Sequence, residues 1–263
     1  MRGWRLGLFG IALAALALAA LLWFLPARWA VALIQPRLHG VQLQQVQGLA
    51  WRGRAGRVLS ARGQPLGTLQ WTLSRHALLG EVNLQLALDG PTMQFHGSLH
   101  QRAGDDQADW RDVTWNLDLA VLKPPLATPF GWLQGTLEGQ APYARMQAGW
   151  PLQMDARMHW RDATLLSRSG RIALGDLQFE LHGEHGMIHT QMHDEGAGPL
   201  ALTGQLDLSP LGWRLDADLR PRHGDPALRR WLATLGRPDA DGTVHLQRRG
   251  GLAAALPAKG AKP

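Results

Sequence analysis

The chain has 263 residues, 45% of them hydrophobic and 18% charged, enough apolar content and length to build a sizeable core and too apolar to stay disordered. It has no cysteine, which excludes disulfides, thiolate metal sites, cysteine nucleophiles and lipid acylation at cysteine. The net charge of +6 raises nucleic acid or anionic lipid as partners. Its arginines, however, stand singly apart from Arg229-Arg230 and Arg248-Arg249, and a dedicated nucleic-acid surface needs a cluster.

The first predicted element is an anchor. From Leu6 to Leu25 the chain carries no charge, and 20 helical residues rise roughly 30 Å, the thickness of a bilayer core. The run is longer than the apolar region of a cleaved signal peptide, although Ala17-Leu18-Ala19 keeps cleavage open as an alternative. Trp23, Phe24, Arg28 and Trp29 follow as an interfacial rim, and Arg2 and Arg5 before the run place the N-terminus on the cytoplasmic side. The expected division is a cytoplasmic N-terminus (1–5), a transmembrane helix (6–25), a linker (26–40), a periplasmic β-rich domain (41–248) and a disordered tail (249–263).

Beyond the anchor, apolar residues recur every second position, the mark of strands with one buried face. The runs are Val82-Leu84-Leu86-Leu88, Met93-Phe95-Gly97-Leu99, Val113-Trp115-Leu117-Leu119, Leu152-Met154-Ala156-Met158-Trp160, Leu177-Phe179-Leu181 and Trp213-Leu215-Ala217-Leu219. Turn residues such as Asp89-Gly90-Pro91 separate them. About a dozen strands are predicted, in an antiparallel roll or sandwich, because a lone sheet would leave its apolar face in water. The predicted core includes Trp71, Leu84, Phe95, Trp115, Leu117, Met158, Trp160, Phe179 and Trp213.

One segment breaks the alternation. Asp225 stands where a helix is capped, Pro226 at the first helical position and Gly236 just past the end. Leu228, Trp231, Leu232 and Leu235 form one apolar stripe, so a single short C-terminal helix is predicted to plug the sheet or cover an edge.

Reactive chemistry is sparse. His182, His185, His189 and His193 crowd one hairpin, but His189 and His193 would lie about 13 Å apart on one strand face. Thr190 stands where H-E-x-x-H would need its glutamate. Pairing of His182 or His185 with His189 across the turn could bring two imidazoles together. Asp105-Asp106 and Asp194-Glu195 read as turns, and no serine lies in a G-x-S-x-G elbow. No catalytic, cofactor-binding or metal-ligating residue is assigned, and no cofactor is expected. Leu69-Gln70-Trp71 with Ala77-Leu78-Leu79 faintly resembles His159-Trp160 with Thr164-Leu165-Leu166, a hint of duplication.

The segments Gly48–Gly56 (GLAWRGRAG), Leu66–Gly80 (LGTLQWTLSRHALLG), Gly198–Arg222 (GPLALTGQLDLSPLGWRLDADLRPR) and Leu232–Leu246 (LATLGRPDADGTVHL) resemble, in this order, the N protein of the type II secretion pathway. Ser74-Arg75 departs from that pattern, where a proline often follows. The resemblance implies a non-enzymatic accessory inner-membrane subunit of the machine that exports folded proteins across the Gram-negative outer membrane. Its expected partners are the inner membrane and other secretion subunits, either inner-membrane subunits or the outer-membrane secretin, and no nucleic acid. The alternative is a periplasmic lipid-binding or lipid-transfer protein with a β-groove, since a curved sheet with one apolar face can hold an acyl chain.

Overall fold

Each alternating run becomes a strand, with Leu119 one residue past the end of its own. The computed structural model describes residues 23–38, 40–121, 127–128, 131–167, 170–222 and 224–251. These form two units divided between Pro91 and Thr92. The anchor expected at 6–25 lies, up to residue 22, outside the described residues, as does the tail from residue 252. Among the described residues, no helix is long and apolar enough to cross a membrane.

The first unit opens with a helix, α1 (Ala27–Ile34), in the stretch expected to be a linker. Pro26 fixes the entry φ at −64°. Ala27 and Val31, one turn apart, are buried and pack α1 on the strands that follow. Those strands are β1 (Gln42–Leu49), β2 (Arg52–Leu59), β3 (Pro65–Leu73) and β4 (Glu81–Asp89), an antiparallel meander in chain order. A 3-10 turn, Arg75–Leu79, joins β3 to β4. Ser74 begins it by accepting a hydrogen bond from the His76 N–H, the capping role of a short polar side chain.

The second unit contains β5 (Met93–Arg102), β6 (Gln107–Asp118), the two-residue β7 (Ala127–Thr128), β8 (Gly131–Gln147), β9 (Trp150–Ser167), β10 (Gly170–Glu184), β11 (Met187–Asp194), β12 (Leu200–Ser209), β13 (Gly212–Pro221), helix α2 (Pro226–Leu235) and β14 (Val244–Gly251). Apart from β7, which pairs with β8, these strands are hydrogen-bonded in chain order, all antiparallel. The hairpin Glu184–Met187 turns on His185 and Gly186, both at positive φ (51° and 77°), the two-residue turn that suits the twist of antiparallel strands.

Helix α2 contacts β10, β13 and β14. A helix lying across a flat sheet from β10 to β14 would rest on β11 and β12 between them, whereas α2 meets chiefly β10, β13 and β14, so the sheet curls around α2. Leu228, Leu232 and Leu235 are buried there among Ile172, Leu174, Leu200, Leu219 and Val244. The helix serves as the second layer of this unit, which is therefore a roll and not two packed sheets.

Asp225 caps α2, its carboxylate accepting from the Ala227 N–H at 2.8 Å. Gly236 departs from expectation. Its backbone is extended (φ −173°), so it supplies no left-handed cap; a Cβ there would lie 3.0 Å from Val244 Cγ1, and it is small because β14 passes close by. Of the predicted core, Trp160 is buried and most of the others are half-buried. Trp213 is a correction: it is 41% exposed and lies across the strand from Gly250. The proposed duplication also has no structural counterpart, since Ala77–Leu79 belong to a 3-10 turn and Thr164–Leu166 to strand β9, paired with β10 near the hairpin end.

Candidate functional site

The polar face of the second unit holds most of the side chains that could carry chemistry. Strand register places Asp155 opposite His182, His182 opposite His189 and His189 opposite Asp207, a row across β9 to β12. The expected meeting of two imidazoles is thus formed in the backbone pairing. Each ring nevertheless turns to a carboxylate: His182 Nδ1 lies 2.7 Å from Asp155 Oδ1, and His189 Nδ1 lies 2.7 Å from Asp207 Oδ1. Each Nδ1 is thereby engaged by a carboxylate on the neighbouring strand. An open depression over this row is lined by Gln140, Asp155, Arg157, Glu180, His182 and His189.

Two further histidines repeat the arrangement. His159 Nδ1 bonds Glu195 at 2.8 Å. His245 on β14 holds Asp218 at Nδ1 and Asp239 at Nε2. The Asp218 hydrogen bond and charge, followed by Asp239, raise the His245 pKa above its ordinary value. The two carboxylates meet opposite edges of the ring, so they do not converge on a common point. Among the described residues no group of three or more His, Cys, Asp or Glu could hold a metal ion.

Two other carboxylates fasten the structure. Asp109 on β6 accepts from Arg145 Nε (2.8 Å) and the Tyr143 hydroxyl (3.0 Å) on β8. The Arg145 bond is the main cause of its lowered pKa. Asp194, whose side chain is only 7% exposed, pairs with Arg222. It also accepts from the Gly196 and Leu202 N–H groups, each at 2.7 Å. Burial pushes the Asp194 pKa up, but the Leu202 N–H, Arg222 and the Gly196 N–H outweigh it, and the net shift is downward. Arg222 Nη1 in turn donates to the carbonyls of Gly198 and Leu200. The turn read from sequence at Asp194-Glu195 is thereby a buried clamp on the ends of β11, β12 and β13.

The apolar face bears on the groove alternative. Between β10 and β14 it is filled by α2, so an acyl chain has no room there. Toward β5 to β9, Val113, Ala141 and Ala156 are buried under half-buried Phe95, Trp110 and Trp115. A recurrent device appears on these sheets: a tryptophan directly across from a glycine. Trp71 pairs with Gly53, Trp115 with Gly139 and Trp213 with Gly250. A Cβ on these glycines would come within 2.3, 2.2 and 2.5 Å of the indole. Each indole therefore lies flat over its glycine, covering backbone that the missing side chain leaves bare.

Among the described residues no strand pairs with the outer side of β14. That strand therefore presents a row of unpaired backbone groups along its outer edge. The family model described as type II secretion system protein N matches residues 39–247, across both units, and the chain belongs to that family. It is a component of type II secretion. No curated protein and no solved structure is significantly similar to it.

Proposed function

We propose that the chain is a non-enzymatic accessory subunit at the inner membrane, anchored by residues 6–25, with residues 1–5 cytoplasmic and the β-rich part, 41–248, periplasmic. There it contacts other inner-membrane subunits or the secretin while folded proteins are exported. The observation that carries this reading is the family match, which extends from before β1 into β14. Its positional details rest on the uncharged run and on the arginines before it. The open side of β14 (Val244–Gly251) supports contact by strand addition, in which a partner strand satisfies the outward backbone groups.

The test is deletion and complementation. Loss of the chain is expected to retain normally exported proteins in the periplasm, and expression in trans to restore their release. Unchanged export of every substrate in the deletion strain would count against the proposal.

A further inference from the structure

Charge and exposed apolar surface are unevenly shared. Up to Pro91 the chain carries nine arginines, no lysine and two carboxylates, Glu81 and Asp89; from Thr92 onward it carries 18 basic and 19 acidic residues. The whole net positive charge therefore belongs to the first unit. Of the 11 large exposed hydrophobic side chains among the described residues, seven also fall there: Trp23, Phe24, Trp29, Leu33, Ile34, Leu78 and Leu79.

Trp23, Phe24, Trp29, Leu78 and Leu79 gather where the chain enters the unit. Pro26 bridges to Leu49, and the Ala50 N–H donates to the Leu25 carbonyl, so the β1–β2 turn grips the entering segment. The Trp51 indole donates to the Trp23 carbonyl, and the Arg75 guanidinium stacks 3.9 Å over the Trp23 ring. That contact brings the Arg75–Leu79 turn to the same end, where Leu79 is 82% and Phe24 66% exposed. On α1, Trp29 and Leu33 stand about 200° around the helix from buried Ala27 and Val31, so the helix is apolar on the face that stays exposed among the described residues. Arg28, Arg52 and Arg75, all exposed, rim the patch. Tryptophan and leucine flanked by arginines match a bilayer interface, where aromatic rings sit at headgroup depth and guanidinium groups meet phosphate.

We infer that this end of the first unit seats on an anionic phospholipid surface, with Trp29 on α1 and Leu78 and Leu79 on the β3–β4 turn entering the interface and Arg28, Arg52 and Arg75 engaging headgroup phosphates. The inference rests on the anchored reading above, because the uncharged run reaches Leu25 at this same end. It assigns the domain an orientation: the β2–β3 turn at Ser60–Gln64, at the other end of the meander, points away from the lipid.

The absence of cysteine permits a clean test on the full-length chain. Leu79→Cys, Trp29→Cys and, as a control, Arg62→Cys are labelled with an environment-sensitive fluorophore and reconstituted in vesicles of phosphatidylethanolamine with phosphatidylglycerol, or of phosphatidylcholine alone. In the anionic vesicles the labels at 79 and 29 should shift to the blue and be quenched several-fold more by lipid-borne nitroxide than the label at 62. The difference should shrink in phosphatidylcholine and with Arg28→Glu/Arg75→Glu. Three results would overturn the inference: equal aqueous quenching at 79 and 62, identical shielding in the two lipids, or shielding that follows protein concentration, which would make a second copy of the chain the occupant. A chain that floats with the vesicles yet leaves Leu79 in water removes the docking alone, whereas one that does not float removes the anchor as well.

Discussion

Single side chains make the first claims that can be checked. The Trp115–Gly139 pair is a steric agreement across two strands, and Gly139→Ala forces the indole or the backbone aside. Overpacking of this kind costs about 1–3 kcal/mol. In a Trp115→Ala background the same change should cost far less, and a double-mutant cycle by urea unfolding measures the coupling. Asp194 gives a larger effect. Asp194→Ala leaves Arg222 without its carboxylate and should destabilise the fold by about 3 kcal/mol, the lower end for a broken buried pair because Arg222 is partly exposed. Because the folded pKa of Asp194 is lowered, its contribution is present above the unfolded value near 3.8 and disappears as pH falls through the folded one. Asp194→Asn should therefore flatten the acid limb of a plot of Tm against pH. His245 has the opposite sign. Its raised pKa makes its contribution complete below 6.5 and lost as pH rises through the higher folded value. His245→Gln should remove that decline while leaving the acid limb unchanged.

At the scale of elements, the alternation of apolar residues made β4, β5, β6, β9, β10 and β13 legible, because each had one face to bury and one to wet. The C-terminal helix was equally legible, its aspartate cap and proline start being local signals. Leu232→Ala at its centre should cost about 2–5 kcal/mol in denaturant unfolding, since the side chain is 1% exposed and fills the curl of the sheet. Three things escaped sequence reasoning. Helix α1 is apolar on both faces and continues an apolar run, so no period marked it. Strand β8 is 17 residues long, but register shifts at Gln134/Thr136 and Gln140/Tyr143 interrupt its alternation, and Pro142 reads as a break. The carboxylate pairs of His159, His182 and His189 join residues 18 to 36 positions apart, and only the register of the folded sheet brings them together. The open side of β14 is likewise a property of topology. A photo-crosslinking residue at Gln247 or Arg249, both exposed, should capture a secretion subunit in living cells, whereas one at Arg62 in the β2–β3 turn should not.

For the whole molecule, the two units differ in character: one strongly basic with bare apolar side chains where the chain enters, the other nearly neutral in net charge with its polar face tied up in internal pairs. That difference suits a first unit concerned with lipid and a second concerned with protein. The proposed function connects them: attachment of a β-built docking surface to the inner membrane within the secretion machine. The most direct test is affinity purification of the tagged, full-length chain from native membranes in mild detergent, with its companions identified by mass spectrometry. Recovery of other type II secretion subunits in near-stoichiometric amounts is the predicted result; stoichiometric lipid with no such subunit would contradict the scaffold and favour the lipid groove.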